Sequence, residues 1–130
     1  MSREVSLEKS TMIVSETDLQ GNILYANNDF CKIAGYSKDE LIGKPHNIVR
    51  HTDMPKVAFK DLWDTLKEGK TWNGIVKNKT KNGDYYWVNA TAYGVTKKDG
   101  KKTFISVRVK PTKEELEFAT ELYKELRGKE

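Results

Sequence analysis

The sequence predicts one α+β domain: a five-stranded antiparallel sheet with helices on one face, plus a C-terminal helix. Three observations predict it. β-Branched and apolar segments stand on both sides of a central helical stretch. Turn chemistry at residues 18–22, at residues 81–84 and at Asp99 and Gly100 reads as hairpin connections. The length, 130 residues, suits one domain with one core.

The elements follow in order. Residues 11–17, TMIVSET, and 23–26, ILYA, read as two short strands around a turn. The period then changes. Asn27 or Asn28 can cap a helix in which Phe30, Ile33 and Ala34 share a face, and Gly35 stops it. Ser37 with Glu40 three residues on is a capping box for a second short helix. Residues 46–54 predict a helical turn plus loop. Pro55 suits the first turn of a third helix over 55–68, with an apolar stripe through Val57, Phe59, Leu62, Trp63 and Leu66. Residues 72–79, 85–95 and 103–109 predict three strands, the first two joined at Asn82 and Gly83. Pro111 breaks the last strand, and Thr112 with Glu115 caps a helix over 112–127. The organisation expected is an N-terminal cap segment at 1–10, a core domain at 11–110 and a terminal helix at 111–130.

Composition excludes several classes. Mean hydropathy is −0.72 and no run approaches the ~20 apolar residues of a spanning helix, so no direct membrane span is expected. The N-terminus lacks the apolar stretch of a signal peptide. One cysteine, Cys31, excludes an internal disulfide and a cysteine-built zinc site, and fits the reducing cytoplasm. The net charge of +4 is local: residues 66–102 carry nine basic against three acidic groups. Lys77, Lys79 and Lys81 alternate there. A solvated sheet edge explains them better than nucleic acid, because only four arginines are present and none cluster. No Ser/His/Asp set, P-loop or paired histidines at metal spacing support an enzyme.

Two constellations stand out. Phe59 and Trp63, four residues apart, share a helix face and suit either a core or a flat ring. Arg50, His51 and Asp53 form a dense polar cluster before Pro55, which suits either a surface loop or a charged ligand.

The stretch DLQGNILYANNDFCKIAGYSKDELIGKPHNIVRHTDMP, with the element order above, resembles a PAS sensor domain over about residues 10–110. From residue 43 the match narrows. GKPHNIVRHTDMP and the later W.G.VKN..K.GDYYWV pattern are similar to the PAS domain of Aer-type aerotaxis receptors and bipartite energy-taxis proteins. Thr52 stands where that family usually has proline. The resemblance implies non-covalent FAD, and a redox sensor reporting to a chemoreceptor-type transducer or chemotaxis signalling complex. It implies cofactor contacts at Asn27, Arg50, His51, Asp53, Trp63 and Asn78, and Phe59, on the same helix face as Trp63, is read as a further contact. Asn27 also suits its helix-cap role.

Rival readings turn on identifiable residues. His46 stands where blue-light PAS sensors carry their reactive cysteine, so no photo-adduct is expected. A haem-binding PAS gas sensor remains open, since His46 or His51 offers an axial ligand. So does a ligand-free PAS interaction module. Asn78 and residues 74–76 are candidates for movement on reduction. Leu116, Ala119, Tyr123 and Leu126 form a heptad-type seam, which predicts a partner: another copy, giving a homodimer through the terminal helix, or a transducer.

Overall fold

A computed structural model describes residues 2–130; Met1, at the start of the predicted cap segment, lies outside the described residues. The strands are β1 Ile13–Thr17, β2 Ile23–Ala26, β3 Trp72–Lys79, β4 Tyr85–Thr96 and β5 Lys102–Val109. They form one antiparallel sheet in the order β2-β1-β5-β4-β3. The helices are α1 Asn28–Ala34, α2 Lys38–Leu41, α3 Lys56–Lys67 and α4 Lys113–Gly128, with a 3-10 turn at His46–Val49.

The caps are those the sequence predicts. Asn27, not Asn28, caps α1, and Gly35 ends it in the left-handed region at φ 81°. Ser37 and Glu40 form one complete capping box, Thr112 and Glu115 another. Pro55 sits at the N-cap of α3 rather than inside its first turn.

Strand alternation divides the sheet into two faces. Trp72, Val76 and Asn78 of β3 point with Tyr86, Val88, Ala90 and Ala92 of β4 toward α1–α3. Phe104, Ser106 and Arg108 of β5 join them. The core lies between: Ile13, Ile23, Phe30, Leu41, Val49 and Val88 expose 1% or less. Each contributes on the order of 1.5–3 kcal/mol by leaving water. The N-terminal segment belongs to this unit, since Leu7 is buried and the chain hydrogen-bonds alongside Tyr85.

α4 departs from the expected seam. It lies on the opposite face, at edge strand β3, and its stripe turns inward. Ala119 and Tyr123 are buried, and Leu126 packs with them against Ile75, Trp87 and Met54. The Asn89 amide donates to Glu115, and the Val57 N–H donates to Glu130. The stripe read as seeking a partner is therefore covered by the chain's own sheet. What α4 leaves exposed is a different pair, Phe118 and Leu122. No helix among the described residues is long and apolar enough to cross a membrane.

Candidate functional site

A cleft of about 310 Å³ opens between the inner sheet face and α3. One wall is aromatic and aliphatic: Phe59, Leu62, Trp63 and Leu66 of α3 face Val76, Ala90, Ala92 and Phe104 of the sheet. Trp63 meets Phe104 edge-on, ring centres 5.7 Å apart, and lies against Gly21 of the β1–β2 turn. A methyl group at Gly21 would stand 3.3 Å from that indole. Trp72 crosses the inner face over Gly74 and donates from Nε1 to Asp61 of α3 at 2.8 Å, which ties α3 to β3.

The opposite end is polar. Arg108 is 3% exposed and lines the cleft. Its Nη1 donates to Ser106 Oγ at 2.9 Å and to His46 Nε2 at 3.2 Å, and Nη2 donates to Ser15 Oγ at 2.9 Å. Ser15 Oγ also lies 3.0 Å from His46 Nε2. A guanidinium only donates, so His46 Nε2 accepts and its ring proton sits on Nδ1. Burial, helped by the Arg108 charge, pushes His46 down to about 3, so the imidazole is neutral. Phe30 lies under the guanidinium, 4.8 Å from its ring centre. Arg108 Nε and the Tyr86 hydroxyl are buried with no hydrogen-bond partner. Asn78 faces that hydroxyl across the strand pair without closing a bond of good geometry. Burial lifts the Tyr86 hydroxyl to about 12, opposed by Arg108.

The sequence-derived residues divide. Arg50, Phe59, Trp63 and Asn78 meet in the cleft lining. Arg50 pairs with Asn78 as an isolated bridge on the edge of β3, and its guanidinium stacks 3.8 Å from the Phe59 ring centre. Asn27, His51 and Asp53 do not line the cleft. Asn27 joins α1 to β1: its Oδ1 accepts from Phe30 and Val14 N–H, and its Nδ2 donates to Met12 O. Asp53 does not hold Arg50. It pairs with Lys77 at 2.8 Å on the outer face, and that ammonium keeps its carboxyl below the usual range. His51 Nδ1 accepts from the Asp53 N–H at 2.9 Å. Burial and then Lys77 lower its pKa. Lys77 is accordingly no solvated lysine: its side chain is 14% exposed and sits over Tyr85.

Sequence reasoning missed Arg108, Ser15 and Tyr86 as lining or flanking groups, and reached His46 only as a haem-ligand candidate and as the residue at the blue-light cysteine position. The available signal was the alternation in residues 103–109, which places Phe104, Ser106 and Arg108 on one face. Among the described residues no aspartate or glutamate lines the cleft, and no cluster of His, Cys, Asp and Glu could hold a metal ion. With His46 neutral, the cleft carries the two positive charges of Arg50 and Arg108. It is built for a flat apolar body with electron-rich or anionic edges.

Comparison with known proteins agrees with this shape. The family described as PAS fold matches residues 23–108. The chain is 48% identical over 120 residues to the aerotaxis receptor of Escherichia coli (strain K12), covering 92% of this chain and 24% of that protein. It is 30% identical over 83 residues to a nitrogen fixation regulatory protein of Klebsiella oxytoca, covering 64% of this chain and 17% of that one. The chain thus spans about a quarter of the first relative and less than a fifth of the second. Among solved structures, the dark state of the blue-light photoreceptor Aureochrome1 LOV matches with a TM-score of 0.71 at 19% identity, over 91% of this chain and 86% of that one. A light-oxygen-voltage domain studied with a flavin analogue matches with a TM-score of 0.73 at 17% identity, over 93% and 90%.

Proposed function

The chain belongs to the PAS fold family, and from that premise we propose that it is a cytoplasmic redox sensor. It binds FAD non-covalently in the cleft and reports the flavin's redox state to a chemotaxis-type transducer. The observation that carries the reading is the cleft itself: aromatic walls, two arginines and no carboxylate. A flavin needs an apolar slot for its ring, donors for its electron-rich edge and cations for its phosphates. Trp63 and Phe59 supply the slot, Asn78 and Arg108 the donors, and Arg50 a cation at the strand edge. The orphaned Arg108 Nε is the buried donor such an edge would satisfy. Bound flavin supplies reversible electron uptake; the protein holds it and excludes water.

Asn27, His51 and Asp53 belong to this reading as the frame. They hold α1 and the segment carrying Arg50, so their loss acts on the cleft through the stability of the scaffold. FAD rather than FMN is taken from the resemblance to Aer-type aerotaxis receptors, and the 48% identity to an aerotaxis receptor over 92% of this chain supports that choice. Haem is the weaker reading, because His46 Nε2 is already engaged by Arg108 and Ser15. The signal leaves through α4, which is fastened to the strand and segment that line the cleft's edge.

The test is the purified protein's spectrum and its released ligand. Bands near about 370 and 450 nm are expected, from a compound that denaturation releases and phosphodiesterase converts to FMN. A haem Soret band or a colourless protein overturns the cofactor assignment. Transducer affinity measured with oxidised and with reduced protein tests the relay, since a ligand state shifts an equilibrium only by its differential free energy.

A further inference from the structure

The outer side of the sheet is only half covered. α4 reaches Trp87 and Asn89 of β4, Ile75 of β3 and, past the edge, the Asp53 carbonyl. β5, β1 and β2 lie beyond it. Register sets Tyr25, Glu16, Ile105 and Tyr93 in one row across four strands on this side, with Val14 and Val107 in the next row. Both tyrosines are exposed, and Val14, Ile105 and Val107 are half-buried. Glu16, the carboxylate in the row, is held by Lys97 and by the Thr103 hydroxyl. At a strand spacing of about 4.8 Å, three bare strands make a face roughly 14 Å wide, which admits one helix of about 10–12 Å.

α4 carries a flank that fits such a face. Phe118 is 71% exposed, and Leu122 is exposed one turn on. At about 100° per residue Phe118 stands opposite Arg127, so this flank is not the one fastened to Asp53. Glu114, Glu121 and Glu125 fall within about 60° of Phe118 in the same phase. All three are exposed, and Glu125 alone has an ion pair, with Lys129. The hairpin between β4 and β5 has the opposite charge. Its Lys98, Lys101 and Lys102 are exposed and, among the described residues, make no ion pair. It borders the bare face, since Thr103, the next residue, holds Glu16. One chain therefore presents an apolar pair with glutamates, and an apolar sheet face with lysines. A monomer leaves both open.

We propose that a second copy of this chain closes the outer face: the Phe118–Leu122 flank of α4 docks on the bare strands of the other copy, with its glutamates against the lysine hairpin. Both patches lie on the outer side, so one twofold axis seats each α4 on the other sheet, and the contact is made twice. A head-to-tail contact would leave one flank and one bare face open on every pair. The apolar residues supply affinity, and the charges fix which way round the copies meet. The cleft opens on the other side of the sheet, so the inference stands apart from the cofactor reading.

The experiment is sedimentation velocity on the whole chain as purified, up to about 100 µM, in about 50 mM salt, where exposed charges are little screened. Wild type should be a dimer. Phe118→Asp, at an exposed position, should be monomeric with an unchanged melting temperature. Two charge reversals then test the pairing. Glu121→Lys with Glu125→Lys turns the α4 flank basic; Lys98→Glu with Lys101→Glu turns the hairpin acidic. Each double variant alone should be monomeric, because both copies of its contact repel. An equimolar mixture of the two should restore the dimer, because each reversed patch meets its opposite. A monomeric wild type overturns the inference and leaves the face to a different protein, whether or not the variants fold. A dimer that survives Phe118→Asp or either reversal also overturns it, as does a mixture that stays monomeric.

Discussion

The Tyr123 hydroxyl donates to the Ile75 carbonyl at 2.6 Å, 48 residues away in the chain. β3 is an edge strand, so that carbonyl lacks a strand partner on its free side. The phenol therefore caps the sheet edge and fastens α4 at once. Arg127, one turn on, donates to the Asp53 carbonyl. Asp53 in turn holds Lys77 of β3. Helix, edge strand and the segment that carries Arg50 are thus one connected unit, joined by these three contacts.

Tyr123→Phe keeps the buried ring and removes only the hydroxyl. One buried hydrogen bond contributes on the order of 1 kcal/mol, and the orphaned carbonyl sits at an edge that water can reach. We expect α4 amides to exchange faster with deuterium and the chain to lose about 1 kcal/mol in urea titration, with flavin content unchanged. Unchanged exchange across 113–128 would show that packing alone holds the helix.

Gly74 tests the cleft wall from inside. A Cβ there would stand 2.4 Å from the Trp72 ring, a distance no side chain tolerates. The indole must move, and its bond to Asp61 goes with it. Gly74→Ala should cost about 1–3 kcal/mol, the usual range for overpacking, and change the near-UV circular dichroism. A variant as stable as wild type, with the same tryptophan signals, would mean that Trp72 is not wedged over residue 74.

Most of the fold is legible because its signals are local. The turn residues at 81–84 bound two strands, and both capping boxes mark helix starts within a residue. The destination of α4 is not legible, because a 3-4 apolar stripe states that something covers it without stating what. The cleft is half legible. Phe59 and Trp63 share a helix face, and that face meets the sheet. In β5 the usual expectation runs the wrong way. Ile105, Val107 and Val109 would be placed inside by hydropathy, yet register puts Ile105 and Val107 opposite Glu16 and Val14 on the outer face. Phe104, Ser106 and Arg108 face the cleft instead. A site that needs donors inverts the pattern that a core alone would have. Adjacency in sequence misleads in the same way: Arg50 reaches the cleft, while Asp53, three residues on, pairs round the strand edge.

Arg50 and Asn27 separate contact from scaffold. Arg50→Ala removes a guanidinium that stacks on Phe59 and leaves the core intact. It should weaken FAD affinity by about tenfold or more, the worth of one charge-assisted bond, while the melting temperature of the apoprotein shifts little. Lys79→Ala, on an exposed position, is the control and should do neither. Asn27→Ala removes a helix cap and two further bonds between α1 and β1. It should cost roughly 1–2 kcal/mol or more of stability and lose flavin only in proportion to unfolding. Asn27→Ala protein that stays fully folded but empty would instead make Asn27 a direct contact.

The buried imidazole gives the stability its pH dependence. His46 is held neutral, with its pKa pushed from 6.5 to about 3 by burial and then by Arg108. Its folded value lies below its unfolded value, so the unfolded chain binds a proton first as pH falls. Stability from this residue is complete above about pH 6.5 and declines steadily from there toward pH 3. The slope for one such group is about 1.4 kcal/mol per pH unit, so near pH 5 the loss is on the order of 2 kcal/mol. His51, also lowered by burial, adds to the loss in the same direction. The carboxylates of Asp53 and Glu16, held low by Lys77 and Lys97, lose their contribution only as pH falls further, through their own depressed values. The window between about pH 5 and 6.5 therefore belongs to the histidines. Urea titrations across it should show wild type weakening toward acid, and His46→Asn, which keeps a polar side chain beside Arg108 and Ser15, should lose most of that slope. An unchanged slope in His46→Asn would assign the effect to His51, and the His46 imidazole would then have to be protonated in the fold, in conflict with its position between Arg108 and Ser15.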